Sequence, residues 1–515
     1  MPSVSDLIFI ATLCTLLFTA LSERLLNDAG IGWHIRTGQL ILQTQAVPKV
    51  DPFSSTMAGR PWFAWEWLYD AIVGYLDSAW RLGGPVWLTA ILIAATFSQL
   101  FRFLIARGTS LVIALIFVLL ALSGSTIHFL ARPHVVSWLL CLVWIWILDS
   151  REREALHATG STRRRLWVLP LLMLLWANLH AGFLLGFVLL TIFWLSTGWT
   201  WLRMKDVRIE ESLEKISAGK LFKELTVVGF LSLLASFVNP YGWKLHAHIY
   251  SYLSNRFLMD HIEEFQSPNF HRSAQKCFLA LLLLAVLIVI ARGRALRASG
   301  ILTILFAIYA GLDSSRNIPV SSILLVMVIA PLVPRWSSEG FFSRMDHVEH
   351  ALRGHVWPFV AAVFTLFAVA NGGRVGEMQA IHAQFSPHRM PVSAVDFISS
   401  AHIKGPILTP DYWGGYVIYR MYPNQRVVLD DRHDLYGADF LKNYLNMIHV
   451  EDGWESFLKE TNPGCLVLPT QSALANILNH TTGWRSIYSE PSATVFVRDR
   501  TPTIPEYQQI GPLGN

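Results

Sequence analysis

The feature that most constrains this chain is a series of apolar runs, each close to the roughly 20 residues needed to cross a bilayer, separated by short polar segments. They fall at 5–22, 84–106, 109–125, 133–149, 166–178, 181–202, 222–238, 276–292, 299–313, 320–334 and 355–371. A helix lying on a soluble core would show a polar stripe, and runs such as Phe278–Ile290 have none. Only 15% of the 515 residues are charged, against roughly 25% in soluble proteins. The expected fold class is therefore a polytopic α-helical membrane protein of about 11 transmembrane helices. Met1–Ser22 has no Lys or Arg ahead of its apolar stretch and no clear cleavage site after it, so it reads as a retained first span. The four cysteines, Cys14, Cys141, Cys277 and Cys465, are too scattered for a disulfide framework or a metal cluster.

Short-loop charge sets the expected orientation. Loop 150–165 carries Arg151, Arg153, Arg163, Arg164 and Arg165, and loop 203–221 carries Arg203, Lys205, Arg208, Lys215 and Lys220. Loop 292–298 adds Arg292, Arg294 and Arg297. These alternate along the chain, so they share one side, the cytoplasmic one. The segment Trp62–Trp80 is apolar, but a span there would place the N-terminus outside, and Glu66, Asp70 and Asp77 would be costly in hydrocarbon. It reads as an interfacial helix, with Ile31–Gln43 a second one, both inside a first outer loop of about 23–83. With the N-terminus inside and an odd number of spans, the segment after the last span is extracytoplasmic. The expected domains are a transmembrane domain over 1–373 and a C-terminal extracytoplasmic α/β domain over 374–515. Short β-like runs there (Ile407–Thr409, Arg426–Asp430, Cys465–Leu468, Ala493–Arg498) alternate with helical stretches Ala438–His449 and Gly453–Glu460.

That topology gathers the polar side chains of the span ends on one side. They are Asn27, Asp28 and His34; Asp51 and Glu66 of the first loop; His128, Arg132 and His134; Asn178 and His180; Asn239, Tyr241 and His246; and Asp313, Arg316 and Asn317. Singly, each is accounted for by a polar turn or a helix end. Together, so close to hydrocarbon, they need protein or ligand partners, and a shared outward-opening cavity accounts for them economically. Arg132 and Arg316 offer forks of donors to an anion such as a phosphate. Asp28 can take a proton from an incoming hydroxyl or amine. No Walker motif or nucleophile elbow appears, which disfavours ATP hydrolysis and serine-type acyl transfer. The histidines are many but separately placed, so a divalent metal is possible and unsupported, and no cofactor is certain.

In plan the chain resembles the GT-C superfamily of membrane glycosyltransferases, which includes protein O-mannosyltransferases, oligosaccharyltransferases and aminoarabinose transferases. The residues that carry the likeness are 27–38 (NDAGIGWHIRTG), 47–54 (VPKVDPFS), 131–134 (ARPH), 178–183 (NLHAGF) and 239–242 (NPYG), with 413–416 (WGGY) and 428–432 (VLDDR) further on. Uncharacterised bacterial members are the most similar. The resemblance implies a sugar donor linked to a polyprenyl phosphate, an acceptor on the outer side, and Asp28 as base or acceptor-positioning group. Many members have a paired acidic motif at this place, whereas here Asn27 precedes Asp28; Asp51 or Glu66 is then a candidate second carboxylate.

The expected function is a glycosyltransferase of a bacterial inner (plasma) membrane. Its catalytic candidates are Asp28, Glu66 and Asp51, and its substrate-binding candidates are His34, Arg132, His134, Asn178, His180, Asn239, Tyr241, Arg316 and Asn317. Expected partners are the lipid-linked donor, membrane lipids and a glycan, lipid or protein acceptor, with no nucleic acid. The alternative is a non-catalytic transport or assembly component that binds lipid or glycan in the same cavity. A secondary transporter would show two similar halves, which are absent from the sequence. The dense charges Asp430–Asp434 admit two readings, a binding edge or an internally paired turn.

Overall fold

A computed structural model of the chain describes residues 2–157, 163–203, 211–334, 348–349, 352 and 356–499. Two compact units emerge, one comprising 1–51 and 59–386, the other 52–58 and 387–515. The first is helical and contains the candidate site. Six of its helical segments are long and apolar enough to cross a membrane: Gly83–Ala106, Leu111–His128, His134–Ala155, Ala181–Arg203, Ser273–Ala295 and Ser315–Leu332. Four shorter apolar helices accompany them, Val4–Phe18, Leu169–Leu179, Ala298–Asp313 and Val356–Ala370. The helix Glu211–Ser236 is long, but its first half carries charge.

The exposed faces show what solvent these helices suit. On Ser273–Arg292, Leu283, Val286, Leu287 and Ile290 are all at least half exposed. That spacing draws one apolar stripe down the outside of the helix, the reverse of a soluble amphipathic helix. Such a stripe is stable against lipid tails and not against water. The protein is an integral membrane protein.

Charge placement departs from the expected loops. The helix that begins at His134 runs on to His157, two turns beyond its apolar run, so Arg151 and Arg153 belong to the helix. Arg151 is buried, its Nε and Nη2 donating to Glu224 Oε2 at 3.1 and 2.7 Å. It is thus a packed ion pair between two helices and not an exchangeable surface cation. Lys205 and Arg208 lie outside the described residues.

The segment Trp62–Trp80 forms the helix Trp67–Trp80, fourteen residues long. It lies against Ile31–Thr44, and the two touch backbone to backbone. A Cβ on Gly38 would sit 1.7 Å from Asp70 O, and one on Gly74 would sit 2.6 Å from Gln39 N. Gly84 closes a second tight crossing, where a Cβ would fall 2.5 Å from Leu76 O. Only glycine allows these approaches.

In the second unit a four-stranded sheet has the order β3 (Ile407–Leu408), β4 (Cys465–Pro469), β6 (Ala493–Arg498) and β5 (Trp484–Ser489). The pair β3–β4 is parallel and the remaining pairs are antiparallel. A two-residue hairpin, β1 (Arg374–Val375) with β2 (Met378–Gln379), belongs to the first unit. The run Arg426–Asp430 makes only isolated bridges, in which Val427 pairs with Ile407 and with Ser54. Through Ser54 the first loop adds an edge to this unit: Ser55 N–H donates to Val427 O at 2.8 Å and Thr56 Oγ1 to Val428 O at 2.6 Å. The charges Asp430–Asp434 pair internally in part. Arg432 grips Asp430 through two 2.7 Å bonds, fully buried, and Tyr436 O–H donates to the same carboxylate. His433 Nε2 lies 2.8 Å from Asp411. Gly414 packs on Asp430, where a Cβ would meet Asp430 Cα at 2.6 Å.

Substituting Gly38 by alanine forces the two helices of the first loop apart. We expect Gly38→Ala to lose about 2 kcal/mol or more of stability, the upper part of the range for overpacking, and Gly59→Ala, whose Cβ would meet nothing within 4 Å, to lose less. Thermal unfolding of the purified protein in detergent checks this.

Candidate functional site

The Gly38–Gly74 contact brings together the side chains one turn earlier on each helix, His34 and Asp70. His34 Nδ1 lies 2.6 Å from Asp70 Oδ1, and neither side chain has any exposure. The ring is stacked on Trp33 at 3.6 Å and meets the edge of Tyr69 at 5.5 Å. Bonded to a carboxylate at Nδ1, the ring turns Nε2 toward Glu66, with Oε2 3.7 Å away.

The other oxygen of Glu66 lies 3.6 Å from His180 Nε2. His180 ends the helix Leu169–Leu179 in extended backbone (φ −165°). Its Nδ1 accepts from Gly182 N–H at 3.1 Å and sits 2.7 Å from Ser137 Oγ, which itself accepts from Trp176 Nε1–H at 2.7 Å. With Nδ1 serving as acceptor, the neutral ring carries its proton on Nε2, facing Glu66. Gly182 is required here, because a Cβ would fall 2.5 Å from Ser137 Oγ. Glu66 is thus a nearly buried carboxylate (6% exposed) between two imidazoles, each held from behind.

Beside it, Asp28 Oδ1 accepts from Arg132 Nη1 and from Gly30 N–H, both at 2.8 Å. The Arg132 turn is pinned by Ala131 N–H donating to Leu25 O at 2.7 Å. Arg316 Nη1 donates to Glu264 Oε1 at 2.7 Å and stacks on Phe265. His128 Nε2 faces Ser315 O at 3.2 Å, and His134 Nε2 faces His128 O at 2.8 Å. Arg316, His134 and Arg132 all lie within Coulombic range of His180, and Arg132, Asp70, Glu66 and Asp28 within range of Tyr69. Asp28, His34, Glu66, Arg132, His134, His180 and Arg316 therefore share one electrostatic cluster.

The other candidates hold backbone. Asn178 accepts from Trp67 Nε1–H at 2.8 Å and donates to Leu174 O and Val238 O, tying three segments. Asn239 shapes its own turn through Ser236 O, Gly242 O and Tyr241 N–H. Tyr241 O–H accepts from Ala64 N–H at 2.8 Å and reaches Pro48 O at 3.3 Å, which anchors the first loop. Asn317 donates to Ala310 O. Asp51 is buried at the neck of the 51–60 turn, its N–H donating to Arg60 O.

Among the described residues no group of three or more His, Cys, Asp or Glu is arranged to hold a metal ion.

Neither a protein-family model nor a curated protein matches the sequence. Solved structures do match in fold: the oligosaccharyltransferase of Archaeoglobus fulgidus in the apo form, and archaeal oligosaccharyltransferase AglB from the same organism with an inhibitory peptide and a dolichol-phosphate. Each gives a TM-score of 0.50 at 10% identity, over 96% of this chain and 74% of the other. The fold resembles that of a membrane oligosaccharyltransferase. At that identity, the likeness to the oligosaccharyltransferase concerns architecture and leaves the chemistry to the residues.

Sequence reasoning passed over Asp70 and Glu264 as site residues, and it placed His128 in the polar region without carrying it to the binding candidates. Asp70 was legible, since it follows Glu66 by one helical turn on the same face. Glu264 sits in no motif, and only the fold brings it to Arg316. Partial burial raises the Glu264 carboxyl, but Arg316 and Arg132 outweigh it and hold it at about 2. Because that value lies below the unfolded one, Glu264 stabilises the fold fully above about pH 4.5 and loses that contribution as pH falls toward 2. Glu264→Gln should therefore show a shallower loss of thermal stability than the parent between pH 4.5 and 2, when both are measured in detergent. Equal slopes would show that Glu264 carries no such linkage.

Proposed function

We propose that this protein is a membrane glycosyltransferase, moving a sugar from a polyprenyl-phosphate-type lipid to an acceptor on the extracytoplasmic side. The observation that carries the reading is the charged cluster itself, with Asp28 on Arg132 and Glu66 between His34 and His180, set into an oligosaccharyltransferase-like fold. AglB in one of those structures holds a dolichol-phosphate and a peptide, which supports a lipid-linked donor here. In this reading all eleven apolar segments span, the N-terminus is cytoplasmic, and the domain over 374–515 lies outside a bacterial inner membrane.

The chemistry follows from the groups present. An acceptor hydroxyl or amine attacks the anomeric carbon, the bond from that carbon to the phosphate oxygen breaks, and the lipid phosphate leaves with the electron pair. The acceptor proton passes to a carboxylate. Both bonds to Asp28 fall on Oδ1, and Oδ2 has no hydrogen bond among the described residues, so it is the oxygen turned to that task. Arg132, paired with Asp28, lies where the leaving phosphate's charge develops, together with Arg316. Glu66 and its two histidines form a proton-holding wall. Their 3.6–3.7 Å gaps exceed a hydrogen bond, as catalytic contacts often do before substrate binds.

Membranes containing the protein should transfer label from a panel of radiolabelled polyprenyl-phosphate sugars to endogenous acceptor. Asp28→Asn should lower the transfer about 10²–10⁴-fold, the usual contribution of a general base, while leaving donor binding intact. Donor binding with no transfer by the parent protein would instead identify a non-catalytic lipid- or glycan-binding component. Unchanged transfer by Asp28→Asn, with loss in Glu66→Gln, would move the base to Glu66.

A further inference from the structure

A second polar cavity lies at the far end of the same helices. His134 of the charged cluster and Asp149–Arg153 share the helix His134–His157, and a rise of about 1.5 Å per residue separates them by roughly 25 Å. That is close to the ~30 Å of a bilayer core, so the cavity sits at headgroup depth in the opposite leaflet. Its volume is about 210 Å³, many times the roughly 30 Å³ share of a water molecule.

Its lining is amphipathic. Three guanidinium groups, Arg107, Arg153 and Arg297, line it with two carboxylates, Asp149 and Glu152, which leaves one formal positive charge in excess. Asp149 is shared, paired with Arg107 and with Arg153 Nε at 3.1 Å. Glu152 is committed elsewhere as well, accepting from Ser299 Oγ at 2.7 Å and Ser196 Oγ at 3.2 Å, with Arg297 at a looser 3.4 Å. Arg107 Nε is buried and has no acceptor among the described residues. Arg153 is 42% exposed at the mouth. The rest of the lining combines apolar side chains, Phe103, Phe193 and Met327 among them, with the hydroxyls of Ser299 and Thr303.

We infer that this cavity binds the phosphate headgroup of an anionic phospholipid. The excess charge, with Arg153 exposed at the mouth, calls for an anion with several acceptor oxygens. The apolar walls favour an anion attached to an acyl chain over a free one, and basic pockets between transmembrane helices are suited to such headgroups. The site is separate from the charged cluster of the proposed reaction and stands or falls without it.

The test uses the purified full chain and native mass spectrometry, with dioctanoyl phosphatidylglycerol, dioctanoyl phosphatidylcholine and sodium phosphate as probes. Phosphatidylglycerol should bind more tightly than phosphatidylcholine, by about fivefold for each guanidinium engaged. Arg153→Gln and Arg297→Gln should each weaken phosphatidylglycerol binding about fivefold and leave phosphatidylcholine unaffected, with Arg153→Lys retaining most of it. Arg203→Gln, whose guanidinium lies over Trp199, should change neither. Unfolding temperatures without lipid separate a folding defect from a lost contact. Equal binding of the two lipids, or no effect of Arg153→Gln, would overturn the inference. Inorganic phosphate competing as strongly as the lipid would replace it with a free-anion site.

Discussion

The contact between Gly38 and Gly74 is where the geometry of the charged cluster begins. A side chain at either position would hold the two first-loop helices apart, and His34 and Asp70 would no longer meet at 2.6 Å. With those two joined, one imidazole nitrogen is fixed and the other is aimed, and Glu66 is the group it is aimed at. His180 reaches the same carboxylate from a different part of the chain, backed by Ser137 and Trp176. The second glycine dependence, at Gly182, is of the same kind: a side chain there would displace Ser137 and release His180.

Much of the membrane half was legible because a bilayer tolerates so few solutions. A helix stands in each apolar run, and Trp62–Trp80, where loop charge argued against a span, holds a helix packed on another first-loop helix. Long-range pairing was not legible. Nothing local to Ser54 announces that it will bridge Val427, and that pairing moves 52–58 into the second unit. The division between units falls at 386/387, while the change in composition comes nearer 374.

The site divides along the same line. Residue types near span ends pointed to a polar region, and the structure gathers Asp28, His34, Glu66, Arg132, His134, His180 and Arg316. Type and position did not distinguish a side chain that faces a cluster from one that holds a turn. Asn239, Tyr241 and Asn317 spend their described bonds on backbone, and Asn178 does so apart from the bond it accepts from Trp67 Nε1–H. An amide carries donors and an acceptor and so suits a backbone tie, whereas a charged or imidazole side chain at this depth needs an ionic partner. That difference in chemistry separates the two groups better than distance from the span ends.

Each arginine of the cluster has a carboxylate partner, Asp28 for Arg132 and Glu264 for Arg316. A clamp for a phosphate is compatible with that pairing. A guanidinium has five donors, and the pair of Arg316 with Glu264 uses one Nη1, so Arg316 keeps donors for a second anion. Both pairs are also partly exposed, with side-chain exposures of 20–36%, so an arriving phosphate competes with a carboxylate that is already partly hydrated. Exchanging one oxyanion for another keeps the guanidinium satisfied throughout, whereas opening a fully buried pair such as Asp430–Arg432 would strand both charges. The partly exposed pairs can therefore respond to a ligand, and the buried one serves to hold its own unit together.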